Sequence, residues 1–305
     1  DIGSAPTPLL NFTLFTLGNC RSGVMVTASH NPRDDNGFKI IIENEPLSSE
    51  QIRFLRDEMA EGHFTHAEGE ESKLNLISNY ISHVVEDVVP PHELEIAIDC
   101  GNAIATVVAP VLFRALGCQV TELFSELDGN FPNHTPDPTV SENLEVLRRT
   151  VTSRNLDLGF AFDGDGDRVV AITGSGRIVW PDELLMIFAR DILTRYPGEK
   201  IIYDVKSTRR LNDLITNYGG IPVMWKTGHA HMRNKVNNSE SPLGGEYSGH
   251  IFFNDRWYGF DDGLYAAARL LEIISLREQS LDEIIDSFPP AIATEEIKIP
   301  IDEAR

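Results

Sequence analysis

Between Phe162 and Arg168 the chain reads Phe-Asp-Gly-Asp-Gly-Asp-Arg, with carboxylates at Asp163, Asp165 and Asp167 and a glycine in each gap. Glycine lets the backbone turn tightly, so three acids at alternate positions can converge on one hard divalent cation. An EF-hand is ruled out, because the glutamate required at the twelfth position of a loop begun at Asp163 is Gly174. Magnesium fits better, since it commonly sits with a few carboxylates beside a phosphate. The plain alternative is a solvated acidic loop.

A second corner lies at Val24–Lys39, where apolar VMV runs into TASHNPRDDNGFK. Asn-Pro and Asn-Gly mark turns by themselves, which leaves Ser29 and His30 as either a solvated pair or a reactive serine with a neighbour. Cations gather further on, with Lys206 and Arg209 in DVKSTR and Lys226 and His229 in WKTGH. Their grouping matters because the formal net charge is −21. Such a molecule repels nucleic acid, and a site for an anionic substrate must bring its own positive charge.

The elements that position these residues belong to a chain of 305 residues, enough for two or three domains. With 41% hydrophobic and 24% charged residues it is an ordinary globular protein. No apolar run reaches the length a membrane helix needs, so no membrane partner is expected. Cys20, Cys100 and Cys118 are an odd number without a C-x-x-C pair, which speaks against disulfides and zinc and for a cytoplasmic location.

Short apolar runs alternate with amphipathic stretches, the pattern of an α/β protein. Strands are expected at Gly23–Thr27, Phe38–Glu43, Leu94–Asp99, Gln119–Phe124, Leu156–Phe162, Arg168–Thr173, Lys200–Val205, Ile221–Trp225 and His250–Phe253. Capping boxes at Ser48–Gln51 and Ser280–Glu283 predict helix starts. A helix over Lys73–Val89 would put Ile77, Tyr80, Ile81, Val84, Val85 and Val88 on one face. Pro90-Pro91 and the proline-rich Phe131–Pro138 read as punctuation. Because parallel sheets place ligands beyond the carboxyl ends of their strands, the loops in VMVTASHNP, LGFAFDGDGDR and VMWKTGHAH could face one cleft.

Six motifs in order, TASHNP, NGFK, DGDGDR, DVKSTRRL, TGH and GGEYSGH, resemble the bacterial phosphomannomutase/phosphoglucomutase branch of the α-D-phosphohexomutase family over nearly the whole chain. The resemblance implies three similar mixed α/β domains around a shared cleft. Domain 1 (residues 1–74, partial) would carry the serine loop, domain 2 (75–177) the metal loop and domain 3 (178–289) the sugar loop. Residues 290–305 would be a linker or the start of a fourth domain otherwise absent from this chain.

By the same resemblance Ser29 is a phosphoserine, and magnesium is held by Asp163, Asp165, Asp167 and an oxygen of that phosphoserine. Arg168 offsets phosphoryl charge, and Lys39, its pKa lowered by burial and cationic neighbours, exchanges the proton of the sugar hydroxyl. His30 is either a proton-transfer partner or a donor that positions the loop. Lys206, Arg209 and His229 lie near the substrate, while Glu246 and Ser248 bind sugar hydroxyls and the glycines of GGEYSGH let the backbone approach. Trp257 and Tyr258 are read as packing, and His63, His66, His83 and His92 as structural.

The activity implied is interconversion of hexose 6-phosphate and hexose 1-phosphate, of mannose or glucose, by a monomer activated by glucose 1,6-bisphosphate. Phosphoglucosamine mutase, a phosphatase and a sugar-phosphate-binding remnant without turnover are the alternatives.

Overall fold

The computed structural model describes residues 1–291. Of the expected linker at 290–305, all but Pro290 and Ala291 lie outside the described residues.

The first part opens with α1 (Thr7–Thr16), whose apolar run is buried from Thr7 to Leu14. It continues with β1 (Gly23–Val26), β2 (Phe38–Ile42), β3 (Glu45–Pro46) and α2 (Ser49–Glu61). The three strands form an antiparallel sheet in the order β1-β2-β3. The parallel-sheet argument therefore does not place the Ser29 loop that follows β1. Docking against the second part of the molecule does, as described below.

The second part begins with α3 (Ile77–Asp87), on which Tyr80 and Val84 are buried and Ile77, Ile81 and Val85 pack against the core. Then come β4 (Glu95–Asp99), α4 (Ala109–Ala115), β5 (Gln119–Leu123), α5 (Glu145–Arg154), β6 (Leu158–Phe162), β7 (Val169–Thr173) and β8 (Ile178–Val179). Their sheet has the order β5-β4-β6-β7-β8, with β4, β5 and β6 parallel and β7 antiparallel. Every residue of β6 and β7 is buried, as expected of strands covered on both faces.

The third part comprises α6 (Pro181–Arg195), β9 (Lys200–Asp204), α7 (Arg210–Asn217), β10 (Ile221–Trp225), α8 (His229–Asn238), β11 (Leu243–Gly245), β12 (Ile251–Phe253), α9 (Gly263–Arg277) and α10 (Leu281–Asp286). Its sheet runs β10-β9-β11-β12, again three parallel strands and one antiparallel. The order repeats that of the second sheet, with β4, β5, β6 and β7 matched by β9, β10, β11 and β12. Helix α9 packs on β6, β7 and β12, and α6 on β7 and β11, so both helices are buried between the sheets.

All nine expected strands form, with ends within two residues of those read from the sequence. Both capping boxes are present. Three short strands escape the sequence pattern: β3, β8 and β11. The loss of β11 is instructive, because Leu-Gly-Gly looks like a turn yet pairs between β9 and β12. Its glycines are there for packing. A Cβ on Gly244 would lie 2.3 Å from Val236 of α8, and one on Gly245 would lie 2.9 Å from Leu185 of α6. The expectation that the glycines of GGEYSGH admit a sugar is corrected at these two positions.

Candidate active site

The Ser29 loop meets the triple-aspartate loop backbone to backbone. A Cβ on Gly164 would stand 2.0 Å from the Ser29 carbonyl oxygen, so only glycine permits this approach. Ser29 itself has a left-handed backbone, φ 53, steadied by its N–H donating to Thr27 Oγ1 at 2.9 Å. Its hydroxyl donates to Asp163 Oδ2 at 3.2 Å, stands 3.2 Å from His30 Nδ1 and accepts from Arg168 Nη2 at 3.4 Å.

Asp163, Asp165 and Asp167 are all buried, and one oxygen of each lies within 4.8 Å of the others. Asp163 Oδ1 accepts from the N–H groups of Gly166 at 3.0 Å and Arg168 at 3.1 Å. Burial pushes its pKa up to about 7, with Arg168 opposing and Asp167 adding to the rise. Burial also raises Asp167, helped by Asp165. Asp165 goes the other way. Although burial opposes it, the Lys39 ammonium holds its carboxyl below the usual range, and Thr7 Oγ1 donates to Oδ2 at 2.6 Å. Two buried oxygens, Asp165 Oδ1 and Asp167 Oδ1, have no hydrogen-bond partner. Hard oxygen donors gathered without enough protons or cations fit a divalent metal.

Lys39 reaches into this cluster from β2, donating to Asp165 at 2.7 Å and to Asp167. Burial works to lower its pKa, but Asp167 and Asp165 outweigh it and the pKa is raised. The expectation of a lowered lysine is thus corrected for this arrangement. A cation held on the same carboxylates competes with the ammonium for them.

Arg168 is fixed by Asp163, 2.8 Å from Nε, with Asp137 3.9 Å from its Nη1. Asp137 rides on the Phe131–Pro138 segment, which is therefore more than punctuation. Pro136 of the same segment lies against Gly101 and Gly164. The Arg168 guanidinium also donates to His30 Nδ1 at 2.5 Å. Burial, then Arg168, lowers the pKa of His30, so its imidazole is neutral and able to accept.

From the third sheet, Glu246 Oε1 accepts the N–H of Gly228 at 2.5 Å while Oε2 has no hydrogen-bond partner. Ser248 Oγ is 2.9 Å from His250 Nδ1. His250, the last residue of GGEYSGH, received no role from sequence reasoning. Yet it stands 3.6 Å from Asp167, 3.7 Å from Asp261 and 3.3 Å from Glu246. Burial opposes its protonation, but Asp167 and Glu246 raise its pKa to about 9. Its place in a quoted motif was the signal available. His229, lowered by burial, has its ring 5.7 Å from that of His250. Lys206, Arg209 and Lys226 are exposed on the loops after β9 and β10. Trp257 packs as expected, stacked on Tyr265 at 4.2 Å.

The sequence matches family models described as phosphoglucomutase/phosphomannomutase, alpha/beta/alpha domain I at residues 1–66, domain II at 78–176 and domain III at 180–292. It is 51% identical over 301 residues to a phosphomannomutase/phosphoglucomutase of Pseudomonas putida, an alignment covering 99% of this chain and 65% of that protein. A phosphoglucomutase of Neisseria gonorrhoeae is 43% identical, with 99% of this chain and 66% of the relative covered. Among solved structures, a phosphoglucomutase/phosphomannomutase family protein from Burkholderia thailandensis superposes with a TM-score of 0.93 at 42% identity, over 96% of this chain and 66% of that one. The chain spans 64% and 65% of the length of the Pseudomonas relatives it matches.

Proposed function

The chain belongs to the phosphoglucomutase/phosphomannomutase family, and from that premise we propose that it interconverts hexose 6-phosphate and hexose 1-phosphate, of mannose or glucose, through a phosphoserine at Ser29. One observation carries the reading. The Ser29 hydroxyl lies within hydrogen-bond distance of Asp163, Arg168 and His30, beside carboxylates with two buried oxygens that lack a hydrogen-bond partner.

On this reading the Oγ–P bond of phosphoserine 29 breaks as the free hydroxyl oxygen of the bound sugar phosphate bonds to phosphorus. Lys39, released from Asp165 and Asp167 and having given its extra proton to solvent, takes the hydroxyl proton as a neutral amine. The leaving Ser29 oxygen takes a proton from solvent, so the products are unmodified Ser29 and a hexose 1,6-bisphosphate, which turns end over end. In the return step the other phosphoryl group passes to Ser29 Oγ, whose proton goes back to solvent, Lys39 gives its proton to the sugar oxygen, and the isomer leaves. Arg168 neutralises charge on the phosphoryl group, and its ties to Asp163 and His30 hold it there without reorganisation. Magnesium bound by Asp163, Asp165, Asp167 and a phosphoserine oxygen would add further charge neutralisation. Glu246, Ser248 and His229 take the sugar hydroxyls, and Lys206 and Arg209 supply cations for the phosphate end.

The division of labour follows residues 1–74 for the serine, 75–177 for the metal and 178–289 for the sugar. We place the enzyme in the cytoplasm as a monomer, with glucose 1,6-bisphosphate as its activator and neither nucleic acid nor membrane as a partner. Among the described residues no helix is long and apolar enough to cross a membrane. Relatives named phosphomannomutase/phosphoglucomutase do not favour the phosphoglucosamine mutase or binding-remnant alternatives. Incubation with glucose 1,6-bisphosphate followed by peptide mass spectrometry tests the proposal: phosphate on Ser29 is expected, and phosphate only on another residue overturns it.

A further inference from the structure

Asp204 closes β9 with no exposure to solvent. Its Oδ1 accepts from Ser207 Oγ at 2.6 Å and from the Tyr247 N–H at 3.1 Å, and its Oδ2 accepts from Thr227 Oγ1 at 3.0 Å. These donors sit on three different loops, after β9, β10 and β11. The same loops carry Lys206 and Arg209, Lys226 and His229, and Glu246 and Ser248. One buried carboxylate thus ties together the ends of all three parallel strands of the sheet. The Tyr247 N–H belongs to the peptide unit that joins it to Glu246, so its hydrogen bond orients that unit. A second link acts in the same sense, from the Gly228 N–H to Glu246.

The matching residue of the second sheet shows what is particular here. Asp99 closes β4 in the same topological place, and it accepts from Gly101 N–H at 2.9 Å and pairs with His134 at 3.1 Å. It reaches the segment after its own strand and the proline-rich segment. Among the described residues its side chain makes no hydrogen bond to the loop after β6.

We propose that Asp204 is a positioning residue for sugar recognition, fixing Glu246 and its neighbours relative to the loops after β9 and β10. This rests on the phosphohexomutase reading. Hydrogen bonds to a charged acceptor in a dry site are short and directional, so one carboxylate can hold three loops in a single arrangement. Asp204→Asn keeps the volume but turns one acceptor into a donor, which faces either Thr227 or the Ser207 and Tyr247 pair.

Isothermal titration of the chain with glucose 1-phosphate in the presence of magnesium chloride, and with magnesium chloride alone, tests this. Asp204→Asn should weaken the sugar phosphate about tenfold while leaving magnesium affinity unchanged, the scale expected for displacing positioned groups. Adding Glu246→Gln should cause little further loss beyond that of Glu246→Gln alone, because both changes act through one group. Unchanged sugar-phosphate affinity in Asp204→Asn, or full additivity of the pair, overturns the inference. If Asp204→Asn does not fold, Thr227→Val combined with Ser207→Ala removes two donors instead. The same tenfold loss supports the role and undiminished binding refutes it. A wild-type chain that does not bind glucose 1-phosphate overturns the phosphohexomutase reading, and this inference with it.

Discussion

The loop Asp163–Arg168 between β6 and β7 and the loop Glu246–His250 between β11 and β12 hold the same place in two sheets of the same strand order. Their electrostatics are opposed. The first buries three carboxylates and leaves two oxygens without a hydrogen-bond partner, while the second sets one glutamate against a histidine pushed up to about 9 by Asp167 and Glu246 against the opposing effect of burial. Glycines serve both hairpins in loop and strand alike. In the first, Gly164 lets Ser29 approach and Gly159 of β6 admits α5, and in the second, Gly249 lies against Arg168 while Gly244 and Gly245 of β11 admit helices. A backbone bridge between Arg168 and His250 joins the two loops edge to edge. Repetition of a fold supplies equivalent addresses, and the side chains placed there decide the chemistry of each; on the proposed reading one holds a cation and the other a sugar.

The largest expected effect comes from breaking the first loop. Asp165→Asn should abolish phosphoryl transfer and sharply weaken magnesium binding, since a dication needs several hard oxygens. Glu246→Gln should raise the KM for glucose 1-phosphate and leave magnesium titration unchanged. Equal loss of magnesium affinity in both variants would show that the two loops do not divide the work.

Lys39→Met should slow single-turnover transfer from phosphoenzyme to glucose 1-phosphate by about 10² to 10⁴, the usual value of a positioned proton shuttle. Magnesium affinity should rise in the same variant, because the ammonium that pairs with Asp165 and Asp167 is gone. Wild-type transfer rates would move the proton role to His30 or His250.

A smaller effect sharpens the contrast between the glycines. Gly164→Ala should cost about 10² in kcat by separating Ser29 from the aspartates. Gly244→Ala should leave kcat nearly intact and instead lower stability by about 1–3 kcal/mol through overpacking against α8. Urea unfolding and a coupled mutase assay on both variants read the two quantities separately.

What was legible in the sequence follows from how local each signal is. Alternating apolar runs and capping boxes declare themselves within a few residues, so the nine main strands and the starts of α2 and α10 were readable. Chemistry concentrated within a single motif was readable too, which is why Asp163, Asp165 and Asp167 were singled out in one and Ser29 in another. Partners contributed from far along the chain were not. Asp137, Asp261 and Thr7 reach the site only through the tertiary fold, and the lysine charge state depended on carboxylates 126 and 128 residues away. Gly244 and Gly245 misled because a glycine that receives a helix looks the same in sequence as one that receives a ligand.

The smallest effect concerns the helices that follow the two hairpins. Trp180 at the start of α6 makes no side-chain cap and relies on Pro181, whereas Asp262 caps α9 by accepting the Tyr265 N–H. Asp262 also takes hydrogen bonds from the Tyr80 hydroxyl at 2.9 Å to both oxygens. Burial raises its pKa to about 7, outweighing the lowering from the Tyr265 and Tyr80 hydrogen bonds. An unfolded aspartate loses its proton near 4, so between that pH and about 7 the folded chain holds a proton that the unfolded chain has released. Stability from this group is complete below the unfolded value and is withdrawn as pH climbs through 7, by about 1 kcal/mol between pH 6 and pH 8. Asp262→Asn keeps an oxygen for the cap and removes the titration. Its urea midpoint, compared with that of the wild type, should therefore gain steadily from pH 6 to pH 8, and a constant difference across that range would mean that Asp262 is already charged in the fold.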